Sequence, residues 1–229
     1  MNNAIQILER IIPNVTNKYD ELLLSTIQTL NMLFTSGIIA FTIGLFLGVV
    51  LIVSKEGGLF ENKKVFAVLS FSINLFRSIP FVILLAALIP FSRFIVGTAI
   101  GTLGAIPPLV IGTIPFFSRQ VESALSNVDE GLIEAAKSMG SSRLGIIFRV
   151  YLKESIPSVT RVTQITAISL IGLTAMAGAI GGGGLGDFAI RYGHQRGQTD
   201  VTYVTVLVIL VLVAIIQGLG NLIIRKTTH

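Results

Sequence analysis

Side chains able to perform catalysis or bind a metal are sparse in this 229-residue sequence, which has no cysteine and two histidines. His194 and His229 lack the ligand spacing of a metal site. Gly181, Gly183 and Gly186 match a G-x-G-x-x-G fingerprint, but they follow a long apolar run, not a strand, which excludes dinucleotide binding. A Walker A loop is also absent from the sequence. We predict a non-catalytic chain with no metal site and no cofactor of its own.

Arg77 is the one charged residue in the otherwise apolar run from Val65 to Ser92. Pro80 follows closely, and proline removes a backbone hydrogen bond and kinks a helix. An arginine inside an apolar helix must find a polar partner or water. The pattern predicts a polar pathway beside Arg77; the alternative is a side chain that snorkels to an interface or bonds freed carbonyls.

The segment Gly178–Gly186 reads G-A-I-G-G-G-G-L-G. Glycine permits tight backbone turns, so the segment predicts a helix break at an outer gate, with a flexible outer loop as the alternative. Just before it, Met176 is a candidate for a soft constriction. Ser169 and Thr174 are candidates for hydroxyls that meet a passing solute. Core packing is the alternative for all three.

A helical segment of about 127–140 lies between two long apolar runs. Ser126 can cap it, with acidic Asp129 and Glu130 in its first turn, and Gly140 favours its end. Ser141 or Ser142 can cap a second helix that runs towards Pro157. The side chains of Leu132, Ile133, Ala136 and Met139 are predicted to share one face. Such a helix suits a groove on another protein; lying on the membrane surface is the alternative.

The elements that carry these residues are apolar. Only 13% of residues are charged, 52% are hydrophobic and the mean hydropathy is +0.82. Long runs without charge, or with Arg77 alone, exceed the roughly 20 residues that a membrane helix needs. The fold class is therefore an all-α polytopic membrane protein with five transmembrane helices. The predicted spans are about 24–53, 65–91, 94–117, 158–180 and 201–224, and none of them contains Asp or Glu.

The distribution of basic residues between the runs predicts orientation. Ten Lys and Arg lie on one side, at 55, 63, 64, 119, 137, 143, 149, 153, 225 and 226, and five lie on the other, at 10, 18, 93, 191 and 196. The richer side is cytoplasmic by the positive-inside rule, which puts the N-terminus outside and the C-terminus inside. The net charge of +5 is thus explained by topology, and nucleic-acid binding is excluded.

Two further patterns concern packing and the N-terminus. Gly44 with Gly48, and Gly97 with Gly101, form G-x-x-x-G pairs that predict close helix approach in lipid. Residues 1–20 are predicted to be an outer amphipathic segment on the lipid surface, because Ala4, Ile5, Leu8, Ile11 and Ile12 share a helical face before Pro13. A frayed tail is the alternative.

Glu134-Ala135-Ala136, followed by Gly140, resembles the EAA loop of binding-protein-dependent ABC importer permeases. In that family this loop is a cytoplasmic coupling helix that docks on the ATPase subunit, so the resemblance assigns coupling to Glu134, Ala135, Ala136 and Gly140. The family pattern I-x-L-P falls on Val150-Tyr151-Leu152-Lys153, so lysine replaces the final proline. Three further motifs are Phe76–Phe81, the Gly-Leu-Ile-Glu-Ala run at 131–135, and Ala175-Met176 leading to Gly183-Gly184-Leu185-Gly186. With them, the chain from about 20 to 225 resembles the five-span permease of D- and L-methionine importers.

The resemblance implies a permease in a bacterial cell membrane that imports methionine by alternating access. Its implied partners are two ATP-binding cassette subunits, which hold ATP-Mg, and an extracytoplasmic binding protein or lipoprotein. Five helices enclose a pathway poorly, so a homodimer with the pathway on its axis is expected. A permease for another small solute remains an alternative. A self-contained channel or secondary transporter is disfavoured because the predicted spans lack carboxylates.

Overall fold

The computed structural model describes residues 11–227, and within that range the chain is helical and has no β-strand. This confirms the all-α class. The helices are α1 (Pro13–Thr16), α2 (Tyr19–Ser54), α3 (Lys63–Ser78), α4 (Phe81–Ala87), α5 (Ile89–Val96), α6 (Gly101–Leu125), α7 (Glu130–Ser138), α8 (Arg143–Ile146), α9 (Leu152–Glu154), α10 (Ile156–Ala177), α11 (Gly184–Phe188) and α12 (Thr199–Thr227). Wider helical turns occupy Ile147–Tyr151, Gly178–Gly182 and Ala189–His194. His229 and the predicted amphipathic residues Ala4, Ile5 and Leu8 lie outside the described range.

Among residues 11–227, four helices are long and apolar enough to cross a membrane: α2, α6, α10 with its following turn, and α12. A fifth candidate span is the pair α3 and α4, which is bent by 100° at a short break. The predicted number of five is reached only when this bent pair counts as one span.

The second and third spans differ most from their predicted ranges, 65–91 and 94–117. Ile79 is extended, with φ −82° and ψ 123°, and Pro80 supplies no backbone N–H, so the helix stops there and does not merely kink. Residues 89–96 form the separate helix α5, which ends at Gly97 with φ +76°. The next long helix begins at Gly101.

Two compact units make up the chain, and each has its own contacts. The first unit comprises Met1–Gly37, Phe81–Val110 and Ile168–Ile215. Its core contains Val15, Phe188, Tyr192 and Val201. The backbone N–H and the side-chain amide of Asn14 both donate to the carboxylate of Asp200, at 2.9 and 3.0 Å, which fixes α1 beside the start of α12. Pro13, predicted to end a helix, lies in the first turn of α1, where a missing N–H costs nothing.

The second unit comprises Ile38–Pro80, Ile111–Ala167 and Ile216–His229. Its core joins the end of α2 to α6, α7 and the following turns through eleven buried residues: Ile52, Val53, Leu59, Phe117, Val121, Leu125, Ile133, Ala136, Ile146, Ile147 and Tyr151. A helix cap starts α3, because the Asn62 side chain accepts hydrogen bonds from the backbone N–H groups of Lys64 and Val65, each at 3.1 Å.

The two G-x-x-x-G pairs have different roles. A Cβ on Gly48 would lie 2.6 Å from Cβ of Val121, and one on Gly44 would lie 2.8 Å from Cδ1 of Phe117, so α2 and α6 pack closely as predicted. The prediction for Gly97 and Gly101 is wrong. Both have positive φ, and a Cβ added to either would have no atom within 4 Å, so they form the turn between α5 and α6 and do not pack against another helix.

Candidate functional site

The helix α7 is shorter than the predicted 127–140 because a different residue caps it. The Asp129 carboxylate accepts from the backbone N–H of Gly131 at 2.6 Å, whereas the Ser126 hydroxyl donates to the carbonyl of Ser123 at 2.8 Å. The helix ends at Gly140 as expected, with φ +75°. The N–H of Gly140 donates to Lys137 O and that of Ser141 to Ala136 O, both at 3.0 Å, which is a Schellman motif.

The two faces of α7 differ from the prediction that four apolar residues share one side. Ile133 and Ala136 are buried in the core of the second unit, at 8% and 5% exposure. Leu132 and Met139 are 47% and 78% exposed, and Ala135 is exposed as well. Spacing of three and then four residues places Leu132, Ala135 and Met139 on one outward stripe.

The predicted coupling residues therefore divide between the two faces. The side chains of Glu134 and Ala135 are exposed, and so is Gly140, whereas the Ala136 methyl group belongs to the chain's own core. The stripe of Leu132, Ala135 and Met139 can meet another protein; Ala136 instead fixes α7 on its own chain. Neighbouring residues on a helix point 100° apart, so the two alanines face different directions. Sequence spacing alone does not say which of those directions faces the core.

A cavity of about 280 Å³ lies between α7 and the turn that follows α2. Its lining is Ile52, Lys55, Glu56, Gly57, Leu59, Leu125, Ser126, Val128, Glu130, Ile133, Glu134, Lys137 and Tyr151. Burial, assisted by the negative charge of Glu130, raises the pKa of Tyr151 above that of an ordinary tyrosine. The cavity is lined by charged side chains, among them the predicted coupling residue Glu134.

Beyond α7 the chain turns into α8, and Ser142 is the residue that caps it, accepting from the N–H of Gly145 at 3.1 Å. Lys153, in the position of the family's proline, lies within the short helix α9. Pro157 lies in the first turn of α10, where proline is well tolerated. The break between α9 and α10 falls at Ser155, two residues before Pro157.

The glycine segment is a packed turn. Backbone φ is +96° at Gly181, +74° at Gly183 and +76° at Gly184. The N–H of Gly184 donates to Gln28 Oε1 and that of Leu185 to Thr29 Oγ1, both at 2.8 Å. Gly184 and Gly186 are buried, and an added Cβ at Gly186 would overlap the backbone of Ala175. Side chains of α2 thereby hold the segment as a helix break.

The other predicted pathway residues of α10 are placed differently from one another. Met176 is 41% exposed and Ser169 is exposed. Thr174 is buried, and its hydroxyl donates to the carbonyl of Ile171 at 2.7 Å, so it has no hydroxyl proton left to offer a solute. Every threonine in a helix has a backbone carbonyl within reach of its hydroxyl. The sequence does not show whether a given hydroxyl makes that bond or points away from the helix.

Arg77 is exposed near the end of α3, and within the described residues it makes no hydrogen bond or ion pair. A second arginine, which the predicted spans leave in a loop, lies inside α6. Arg119 pairs with Glu122 at 2.5 Å and donates to Ser70 Oγ at 2.8 Å and to Asn74 Oδ1 at 3.1 Å. The signal that identifies it is the i, i+3 spacing of Arg119 and Glu122.

The observed helices extend beyond the predicted spans and so include acidic residues. Glu122 lies in α6 because that helix runs eight residues past the predicted end at 117, and Asp20, Glu21 and Asp200 lie in the first turns of α2 and α12. The predicted spans themselves contain no Asp or Glu. Glu122 differs from the other three because it pairs with a basic residue of its own helix. Its charge is balanced by Arg119, and the side chains of both residues are largely covered.

The helical fold, with several long apolar helices and a short helix between two of them, is that of a multi-pass membrane protein. The sequence profile of the inner membrane component of binding-protein-dependent transport systems matches residues 40–229, and the chain belongs to this family. The resemblance predicted from the EAA-like loop is confirmed.

Individual relatives are more specific than the family profile. The chain is 47% identical over 210 residues to the probable D-methionine transport system permease protein MetI of Vibrio cholerae, covering 92% of this chain and 93% of that protein. It is 48% identical over 173 residues to the methionine import system permease protein MetP of Bacillus subtilis, covering 76% and 78%. An inward-facing structure of the MetNI methionine ABC transporter matches with a TM-score of 0.88 and 42% identity, covering 91% of this chain and 97% of that chain.

Proposed function

We propose that this chain is the permease subunit of an ATP-driven importer that moves D- and L-methionine into the cell. The observation that carries the proposal is the near full-length similarity to permeases named for methionine transport, together with the fold shared with a methionine ABC transporter. The chain itself has no Walker A loop, so ATP-Mg is bound and hydrolysed by separate subunits.

Coupling is assigned to α7. The outward stripe of Leu132, Ala135 and Met139, together with the charge of Glu134, docks on an ATP-binding cassette subunit. Small Ala135 permits close approach, and Gly140 sets the exit angle of the chain. The buried pair Ile133 and Ala136 holds α7 on the second unit, so movement of the ATPase reaches α2 and α6 through their shared core.

Two copies of the chain form the pathway. The described part of each copy supplies up to five candidate spans, and a symmetric pair encloses a central route. Methionine arrives from an extracytoplasmic binding protein or lipoprotein, passes the glycine break around Gly183, Gly184 and Gly186 beside Met176 and Ser169, and leaves inside. Alternating access follows when ATP binding draws the two α7 helices together and hydrolysis separates them.

The proposed orientation places the N-terminus outside and the C-terminus inside a bacterial cytoplasmic membrane. The argument is the excess of Lys and Arg in the segments 55–64, 137–153 and 225–226, which hold nine such residues against five on the other side once Arg119 is counted within α6. This orientation puts α7 on the side where ATP is available.

The test is reconstitution of the purified permease–ATPase complex in liposomes, with the binding protein and radiolabelled methionine outside. We expect uptake that requires ATP inside. Glu134→Lys is expected to reduce both uptake and binding-protein-stimulated ATP hydrolysis at least tenfold, because it reverses an exposed charge at the docking surface. The matched control is Glu154→Lys, which reverses another exposed charge in the same connection and is expected to retain uptake.

Methionine uptake that is driven by an ion gradient without ATP would reject the importer proposal in favour of a secondary transporter. ATP-dependent uptake that is equal in Glu134→Lys and the unmodified complex would retain the importer and remove Glu134 from the docking surface.

A further inference from the structure

One face of α3 carries polar side chains along a helix that belongs to the bent candidate span. Ser70, Asn74 and Arg77 are spaced by four and then three residues, so they share a side of the helix. Asn74 and Arg77 are exposed and Ser70 is half-buried. These three residues, called here the α3 polar stripe, cover a rise of about 10 Å.

Arg119 fixes the side chains of Ser70 and Asn74, the two residues of the α3 polar stripe nearest the start of α3. One guanidinium nitrogen donates to Ser70 Oγ at 2.8 Å and to Asn74 Oδ1 at 3.1 Å. Because the amide oxygen of Asn74 faces Arg119, its Nδ2 donors are directed elsewhere. The charge of Arg119 is already balanced by Glu122 at 2.5 Å, so this guanidinium orients Asn74 and adds little net charge.

Arg77 lies in the last turn of α3, and no carboxylate of the described residues balances its charge. Within residues 11–227 it makes no ion pair, and its neighbour Phe76 and nearby Leu75 are exposed apolar residues. It lies about 21 Å along α3 from Lys63, well past the middle of a hydrocarbon layer of about 30 Å if Lys63 marks one boundary. An unpaired charge at that depth faces water or a ligand, since contact with lipid tails costs several kcal/mol.

We propose that Arg77 and the Nδ2 group of Asn74 form a transient binding site for the carboxylate of the amino acid during its passage, with Arg119 as the positioning residue for Asn74. This inference rests on the proposed function. Free methionine carries an α-carboxylate at neutral pH, and guanidinium and amide donors one helical turn apart suit two carboxylate oxygens. The site holds its ligand by hydrogen bonds and charge alone, and no covalent step is involved.

The experiment uses the complete permease–ATPase complex in proteoliposomes with the binding protein, and measures methionine imported per ATP hydrolysed. Arg77→Gln is expected to reduce this ratio about tenfold, since a charge-assisted hydrogen bond is lost. Arg77→Lys is expected to retain a larger part of it, because the positive charge remains although the planar guanidinium donors are lost. Asn74→Ala is expected to reduce the ratio a few-fold. ATP hydrolysis stimulated by the binding protein is expected to stay within twofold of the unmodified complex in all three.

The matched control is Lys64→Gln, which also removes one positive charge from α3. Lys64 lies in the first turn of the helix, at the end opposite Arg77, and its side chain is exposed. It is expected to leave the ratio unchanged. A normal ratio in Arg77→Gln would overturn the inference, and so would equal losses of uptake and ATP hydrolysis, which signify a structural role. If the unmodified complex imports no methionine, the proposed function is rejected, independently of the role of Arg77.

A phospholipid phosphate offers the same oxygen chemistry, so the assay is repeated in liposomes with and without phosphatidylglycerol. The substrate site predicts the same relative loss for Arg77→Gln in both. A loss that appears only with one lipid composition would assign Arg77 to a lipid headgroup and overturn the inference.

Discussion

At the scale of single residues, Gly48 shows how a missing side chain sets helix packing. A Cβ there would lie 2.6 Å from Cβ of Val121 and 2.8 Å from the carbonyl oxygen of Ser118. Backbone oxygen cannot move aside as a flexible side chain can, so α2 and α6 would have to separate. Gly172, in α10, is the opposite case, with nothing within 4 Å of the corresponding position.

We therefore expect Gly48→Ala to destabilise the protein by about 1–3 kcal/mol through overpacking. Gly172→Ala serves as the control and is expected to be neutral or to stabilise by up to about 1 kcal/mol, because alanine favours a helix over glycine. The measurement is thermal unfolding of the purified protein in detergent. Equal melting temperatures for the two variants would contradict close packing at Gly48.

The sequence singles out candidate residues where a chemical type is rare and fails to do so where it is common. Arg77 is the single charge in its apolar run, so it stands out as a candidate, and the structure leaves its side chain exposed; its role stays a prediction. Thr174 is one of many hydroxyls, and its bond to Ile171 depends on a rotamer that no spacing rule supplies. The predicted spans leave Arg119 in a loop because the end of α6 is set by packing of Val121 and Leu125, not by the edge of the uncharged run.

At the scale of elements, α7 was predictable in its C-terminal end and not in its N-terminal cap or its faces. Gly140 ends it in a left-handed conformation, as glycine at that position indicates. Which of its apolar residues is buried depends on the direction from which α2 and α6 approach, and that direction is a property of the tertiary structure. Ile133 and Ala136 meet that core, so Leu132 and Met139 remain outside.

The adjacent alanines of α7 give a sharp test of this division. Ala136→Leu is expected to destabilise the isolated permease by about 1–3 kcal/mol, because the larger side chain overpacks the core around Ile133. Ala135→Leu is expected to leave its stability unchanged and to weaken association with the ATPase subunit. The measurements are thermal unfolding of the permease alone and co-purification of the ATPase. The reverse assignment of the two effects would place the docking face on the other side of α7.

At the scale of the whole molecule, the distribution of charge predicts which loops face the inside of the cell. The chain has no cysteine, so a single engineered cysteine can report the side on which a loop lies. Glu56, after α2, and Gln195, after the glycine segment, are both exposed. The proposed orientation puts Glu56 inside the cell and Gln195 outside.

In intact cells a membrane-impermeable maleimide is expected to label Gln195→Cys and to leave Glu56→Cys unlabelled. Both are expected to react once the membrane is permeabilised, which is the control for accessibility. Labelling of Glu56→Cys in intact cells would contradict the orientation and, with it, the placement of α7 beside an intracellular ATPase.

Family membership and the number of candidate spans were within reach of the sequence because both depend on extended patterns: apolar runs, loop charges and the EAA-like motif. The break between α3 and α4 was anticipated only as a kink, since Pro80 signals an interruption without stating its angle. Its 100° bend depends on the extended conformation of Ile79 as well as on the missing N–H of Pro80.

Under the proposed coupling, the shared core of α7 and the end of α2 has a mechanical consequence. Ile133 and Ala136 pack in one cluster with Ile52 and Val53. A tightly packed cluster passes a displacement of α7 on to its neighbours, whereas a cavity beside Ala136 would absorb part of that displacement. ATP hydrolysis would then continue while less solute crosses the membrane per ATP, so the packing density of this small cluster sets the stoichiometry of transport.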